Sequence, residues 1–144
     1  MARISLYIQA FVTYLVVDIG YQLAIGFSFF THFIESAQLD FYIEPTGTGM
    51  ALMLVFFTLI AVANVHLCIL PAIAAKSVPL ALKNGALLGT TAYATLGLTN
   101  GWSIGDFPLA FALTITLEGL FFSLITSGLT TWLRLRKQAR SEHS

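Results

Sequence analysis

Residues 50–70 read MALMLVFFTLIAVANVHLCIL. No Asp, Glu, Lys or Arg interrupts the stretch, and Pro71 follows it. A helix rises about 1.5 Å per residue and the hydrocarbon layer is about 30 Å thick, so about 20 apolar residues cross it. The stretch meets that length. A barrel strand would alternate apolar and polar residues over about ten positions. Here the apolar residues run on without alternating for about twice that length, so the sequence predicts a membrane-spanning helix.

Outward from it lie three segments of the same kind, roughly Ile4 to Phe27, Val78 to Leu98 and Phe107 to Leu133. The whole chain, 144 residues, is 57% hydrophobic and only 10% charged, against about 45–50% and about 25% for a soluble domain. The expected fold is an all-α integral membrane bundle of four transmembrane helices. It forms a single domain over residues 1–144, with a basic tail over residues 134–144. A signal peptide has an apolar region of about 7–15 residues, and the first apolar stretch is longer, so it is read as a retained helix.

Punctuation sets the expected boundaries. Glu44-Pro45-Thr46-Gly47-Thr48-Gly49 predicts a loop. Pro79 suits the first turn of helix three and Pro108 that of helix four. Thr99-Asn100-Gly101 is expected to close helix three, with Gly101 free to adopt a left-handed end. Trp102 and Trp132 fall near span ends, where indole rings favour the headgroup layer. The first loop, about Ser28 to Gly49, is rich in Phe and Ile and is expected to hold an interfacial helix or a lid over the bundle.

Charge orients the chain. Arg3 precedes helix one, Lys76 and Lys83 flank the second loop, and Arg134, Arg136, Lys137 and Arg140 follow helix four. The first loop carries only acids, Glu35, Asp40 and Glu44, and the third only Asp106. The positive-inside rule then puts both termini of this multi-pass protein in the cytoplasm. The bilayer is the expected partner, with other membrane subunits or a homo-oligomer beside it. No basic run interleaved with aromatics supports nucleic-acid binding.

Ionisable groups at membrane depth are expensive and mark candidate sites. Asp18 lies in the outer half of helix one and Glu118 near the middle of helix four. Gln22 shares a face with Asp18, four residues on. A polar pocket is expected from Asp18, Gln22, Tyr93, Asn100 and Glu118, with Tyr93 or Asn100 of helix three meeting the Asp18 carboxyl. The functional reading is a proton-linked site, a head-group pocket or a catalytic acid; the structural one is hydrogen bonding between helices. His66, as a neutral imidazole, can ligate haem or a chlorophyll-type pigment, or relay protons. The other histidines, His32 and His143, lie outside the spans, which disfavours a bis-histidine haem. Gly85 and Gly89, four apart, predict a close helix contact. Cys68 is alone, so neither a disulfide nor a metal cluster is expected, and no cofactor is specified. Neither a phosphate-cradling glycine loop nor a Gly-x-Ser-x-Gly elbow occurs.

The chain also resembles a family from about Tyr7 to Leu133. The elements that carry it are Asp18, Leu70-Pro71-Ala72, Gly85-Ala86-Leu87-Leu88-Gly89 and Gly119. The most specific is Ala92-Tyr93-Ala94-Thr95-Leu96-Gly97-Leu98-Thr99-Asn100 with Trp102. These resemble the predicted bacterial inner-membrane family called domain of unknown function 2177. The resemblance implies a small bacterial membrane protein and no established activity. Two departures stand out. Gly97 replaces an acid common in the family, and Ile115 and Glu118 stand where an Asp and a Trp are common. If the family's acids carry a shared activity, that activity is altered here, or Glu118 is a relocated acid.

Three functional readings follow. The first is a non-enzymatic helical subunit or accessory protein of a larger membrane complex. The second is a membrane enzyme or carrier for a lipid or small hydrophobic ligand, and the third a proton-linked transporter.

Overall fold

The computed structural model describes residues 2–26, 47–103 and 109–142. Four helical rods form the fold. α1 is Ala2–Tyr21, continued by a π-helical turn, Gln22–Gly26. α2 joins an α-helix, Gly47–Ala63, a π-helical stretch, Asn64–Ile69, and a last α-helical turn, Leu70–Ala74. α3 is Val78–Ser103 and α4 is Leu109–Ser141. The expected all-α membrane bundle is the observed class.

The distribution of side chains is that of a protein dissolved in lipid. On α1 the exposed face is Ile4, Ile8, Val12, Val16, Ile19 and Leu23. On α4 it is Leu109, Leu113, Leu117, Phe121, Ile125 and Leu129. The opposite face of α4 buries Glu118, Ser123, Thr126, Ser127, Thr130 and Thr131. Apolar groups point out and hydroxyls point in, which is the arrangement hydrocarbon selects, because it offers a polar side chain no partner.

Among the described residues three helices are long and apolar enough to cross a membrane, Ile4–Ala24, Met50–Ala74 and Leu109–Ser141. α3 has the length, 26 residues, but not the apolarity. Lys83, Thr91, Thr95 and Thr99 lie on its exposed side and dilute Leu87 and Leu98.

α4 is the central rod. It packs along α3, against α1 and against the π-helical part of α2. The α3–α4 seam is built from small residues. A Cβ at Gly85 would run into Ser123 and Ser127, and one at Gly89 into the Gly119 backbone. Gly97 lies against Ala112, where a Cβ would come within 3.1 Å of its carbonyl oxygen. Gly85 and Gly89 therefore line a helix–helix contact, as their spacing predicts. Above the seam an aromatic core joins the helices: Tyr14, Phe57, Tyr93, Phe111 and Phe122, with Ile60 and Ile115.

Several boundaries differ from the expected ones. α2 begins at Gly47, inside the predicted loop, and runs through Pro71 to Ala74. Pro71 has no N–H to give the Leu67 carbonyl, four residues back. The Asn84 side-chain amide of α3 donates to that carbonyl instead, at 3.0 Å. The π-helical register ahead of it is visible where the Leu70 N–H reaches the Val65 carbonyl. A neighbouring helix thus satisfies the group that proline strands, which is how membrane helices tolerate proline. α3 likewise continues past Thr99-Asn100-Gly101 to Ser103. α4 extends into the basic tail, with Arg136 over the Trp132 ring at 5.1 Å. Most of the first loop, together with His32, Asp106, Pro108 and His143, lies outside the described residues.

Candidate functional site

The polar residues of the half away from the basic tail converge on α4. Tyr14 of α1 and Tyr93 of α3 are buried and joined hydroxyl to hydroxyl. Tyr14 is one helical turn from Asp18 and two from Gln22. Helical spacing therefore lines up Tyr14, Asp18, Tyr21 and Gln22 on the inner side of α1. Glu118 is 6% exposed. The Tyr21 hydroxyl lies beside its carboxyl. Its Oε1 has no hydrogen-bond partner. Asp18, half-buried, is close enough for the two carboxyls to interact electrostatically. Gln22 lies beside it, next along the same face.

Of the two helix-three partners expected for the Asp18 carboxyl, Tyr93 has its hydroxyl joined to that of Tyr14. Asp18, Gln22, Tyr93 and Glu118 gather in one region, and the Asn100 side chain lies outside the described residues. Gly119 lets the Tyr93 ring lie directly on the α4 backbone; a Cβ there would collide with the ring. The rings of Tyr14, Tyr21 and Tyr93 all pack edge-on against Phe122.

A second polar run lies further along α4. Asn64 donates to the Ile60 carbonyl at 3.1 Å and to Ser123 Oγ at 3.4 Å. Ser127 donates to the Ala81 carbonyl of α3 at 2.8 Å. Thr126, Thr130 and Thr131 are fully buried, and their hydroxyls have no partner. At its end Arg134 donates to Ser5 Oγ at 2.9 Å.

His66 stands apart from both groups. It is exposed, and its Nε2 is 2.7 Å from the Tyr7 hydroxyl. The pair opens on a cavity of about 290 Å³ lined by Leu6, Tyr7, Val65, His66 and Leu70. A second cavity of about 280 Å³, lined by Tyr7, Ile8, Phe11, Thr58, Ala61 and Val62, lies between α1 and α2. Neither touches the carboxyls. Among the described residues no three His, Cys, Asp or Glu side chains gather as a metal site.

The family model described as predicted membrane protein, DUF2177, matches residues 3–132. The chain belongs to the DUF2177 family. No curated protein and no solved structure matches it. The DUF2177 match spans Asp18, the Gly85–Gly89 seam, the Tyr93 segment and Gly119, so it covers the polar cluster and the helix contacts that carry it. At Gly97, one of the two departures, this member packs α3 closely against Ala112, which a Cβ would press at 3.1 Å.

Sequence reasoning singled out neither Tyr14 and Tyr21 nor the buried hydroxyls of α4. A signal was present. Tyr14, Asp18, Tyr21 and Gln22 fall at i, i+4, i+7 and i+8, and Ser123, Thr126, Ser127, Thr130 and Thr131 at i, i+3, i+4, i+7 and i+8. Each set is one helix face, and in lipid the polar face is the buried one.

Proposed function

We propose that this is a four-span protein of a bacterial inner membrane, with both termini cytoplasmic, acting as a non-enzymatic helical subunit of a larger membrane assembly. The observation that carries the reading is the outward face of α3. At about 39 Å, by a rise of about 1.5 Å per residue, the helix is long enough to cross. Yet it exposes Lys83, Thr91, Thr95 and Thr99, where the exposed faces of α1 and α4 are almost wholly apolar. Thr95 and Thr99 satisfy their hydroxyls on the carbonyls four residues back. A helix face so short of apolar groups is better covered by protein than by lipid tails, and small hydroxylated faces are what membrane helices use to associate. The occupant is a transmembrane helix of another chain.

Cross-linking tests this. Cys68 is buried, so a Cys68→Ala background allows single-cysteine probes. Thr91→Cys, cross-linked in native membranes, is expected to trap a neighbouring membrane chain, which mass spectrometry identifies. Leu117→Cys, on the exposed face of α4, is expected to trap none. Equal behaviour of the two, with free labelling by a lipid-soluble maleimide at both, would sink the reading.

A further inference from the structure

We propose that the inner face of α4 is a proton path, running from the basic end of the bundle to a carboxyl relay formed by Glu118 and Asp18. The proposal goes beyond the subunit reading and rests on a different surface. Its first ground is continuity. From the half-buried Arg134, Thr131, Thr130, Thr126 and Ser123 follow one another along the buried face, with Ser127 among them closed on the Ala81 and Ser123 carbonyls, and Glu118 lies beyond Phe122. Arg134 to Glu118 is about 24 Å along the axis at about 1.5 Å per residue, most of the hydrocarbon thickness.

The second ground is how the hydroxyls are turned. Thr58, Thr95, Thr99, Thr114 and Thr116, none of them fully buried, each donate to the carbonyl four residues back. Thr126, Thr130 and Thr131 have the same option and do not take it. Fully buried, they hold their hydroxyls without a protein partner, as does the Glu118 Oε1. Buried polar atoms are retained where something meets them. A hydroxyl both accepts and donates. With water bridging them, such hydroxyls would pass a proton by accepting it on one side and releasing their own on the other.

The third ground is the terminus. Facing Glu118 are Asp18, Tyr14 and Tyr21 from α1 and Tyr93 from α3. Among the described residues α2 adds the rings of Phe56 and Phe57 to this region and no titratable group. Among the described residues no Lys, Arg or His is paired with either acid. Intramembrane carboxyls without a cation are the usual elements of proton relays. Phe122 separates Glu118 from Ser123, and the Tyr14–Tyr93 hydroxyl pair bridges α1 and α3 beside it.

The full chain, reconstituted into vesicles enclosing a pH-sensitive dye, tests the path under a potassium diffusion potential. Wild-type vesicles are expected to change internal pH faster than protein-free ones. Glu118→Gln, and separately Thr126→Val with Thr130→Val, are expected to slow that change by roughly tenfold, the effect of raising a barrier by about 1.4 kcal/mol. Thr114→Val, whose hydroxyl is closed on Ala110, is expected to match wild type. The valine pair keeps the side-chain shape and reads the file even if Glu118→Gln fails to insert. Wild-type flux no greater than in protein-free vesicles, or equal flux in all the variants, would overturn the proposal. So would a response that requires sodium.

Discussion

Tyr14 and Tyr93 come from different helices and satisfy each other's hydroxyl where almost nothing else can. Replacing one with phenylalanine leaves the other phenol buried and alone, so Tyr14→Phe or Tyr93→Phe is expected to lower stability by about 1–2 kcal/mol. Replacing both removes the orphan, so the double variant should lose less than the sum of the singles. Thermal unfolding of the four proteins in detergent measures this, and strict additivity would show that the hydroxyls do not depend on each other. Sequence reasoning picked out Tyr93 and Asp18 and offered Tyr93 or Asn100 as the partner of the Asp18 carboxyl, while the Tyr93 hydroxyl meets Tyr14. A single sequence gives depth and helix face, not which of several inward polar groups meets which. Tyr14 sits one turn nearer the basic end than Asp18, and that turn decided the pairing.

At the scale of the helices, two glycines of the same type carry opposite expectations. Gly89 is pressed on the Gly119 backbone, while Gly20 has open space where a Cβ would go. Gly89→Ala is expected to prise α3 from α4 and destabilise the bundle by about 1–3 kcal/mol. Gly20→Ala should be neutral or gain up to about 1 kcal/mol from helix propensity. Melting temperatures in one detergent compare them directly, and a shift of the same sign in both would refute the seam. The seam was legible in the Gly85–Gly89 spacing. The helix ends were not, because proline and glycine mark ends only where nothing else rescues the backbone. Asn84 rescues the Leu67 carbonyl that Pro71 strands, so α2 runs on to Ala74 where its sequence says stop.

For the molecule as a whole, charge and geometry bear on the same question by separate routes. Arg134 reaches Ser5, which brings the start of α1 and the end of α4 together. Lys76, between α2 and α3, shares a small cavity with Leu135, Gln138, Ala139 and Glu142 of α4. The chain's start, its second connection and its basic tail therefore sit at one end of the bundle, as the distribution of Lys and Arg predicts for an even number of spans. Among the described residues hydropathy finds three crossing helices, and three alone would put the termini on opposite sides, so the proposed topology depends on α3 crossing as well. The contacts require α3 to run back alongside α4, and its deficit of apolar residues lies on the face turned away from the bundle. A reporter fused after Ser144 is thus expected to be active only in the cytoplasm, and one inserted at Gly47 only outside it. Replacing Arg134, Arg136, Lys137 and Arg140 with glutamine should weaken the bias and yield a mixed population, because orientation follows the Lys and Arg near span ends. Cytoplasmic activity at Gly47 in the unaltered chain would invert the assignment. Opposite locations for the two ends of the chain would remove α3 from the membrane, and with it the basis for an outer face awaiting a partner helix.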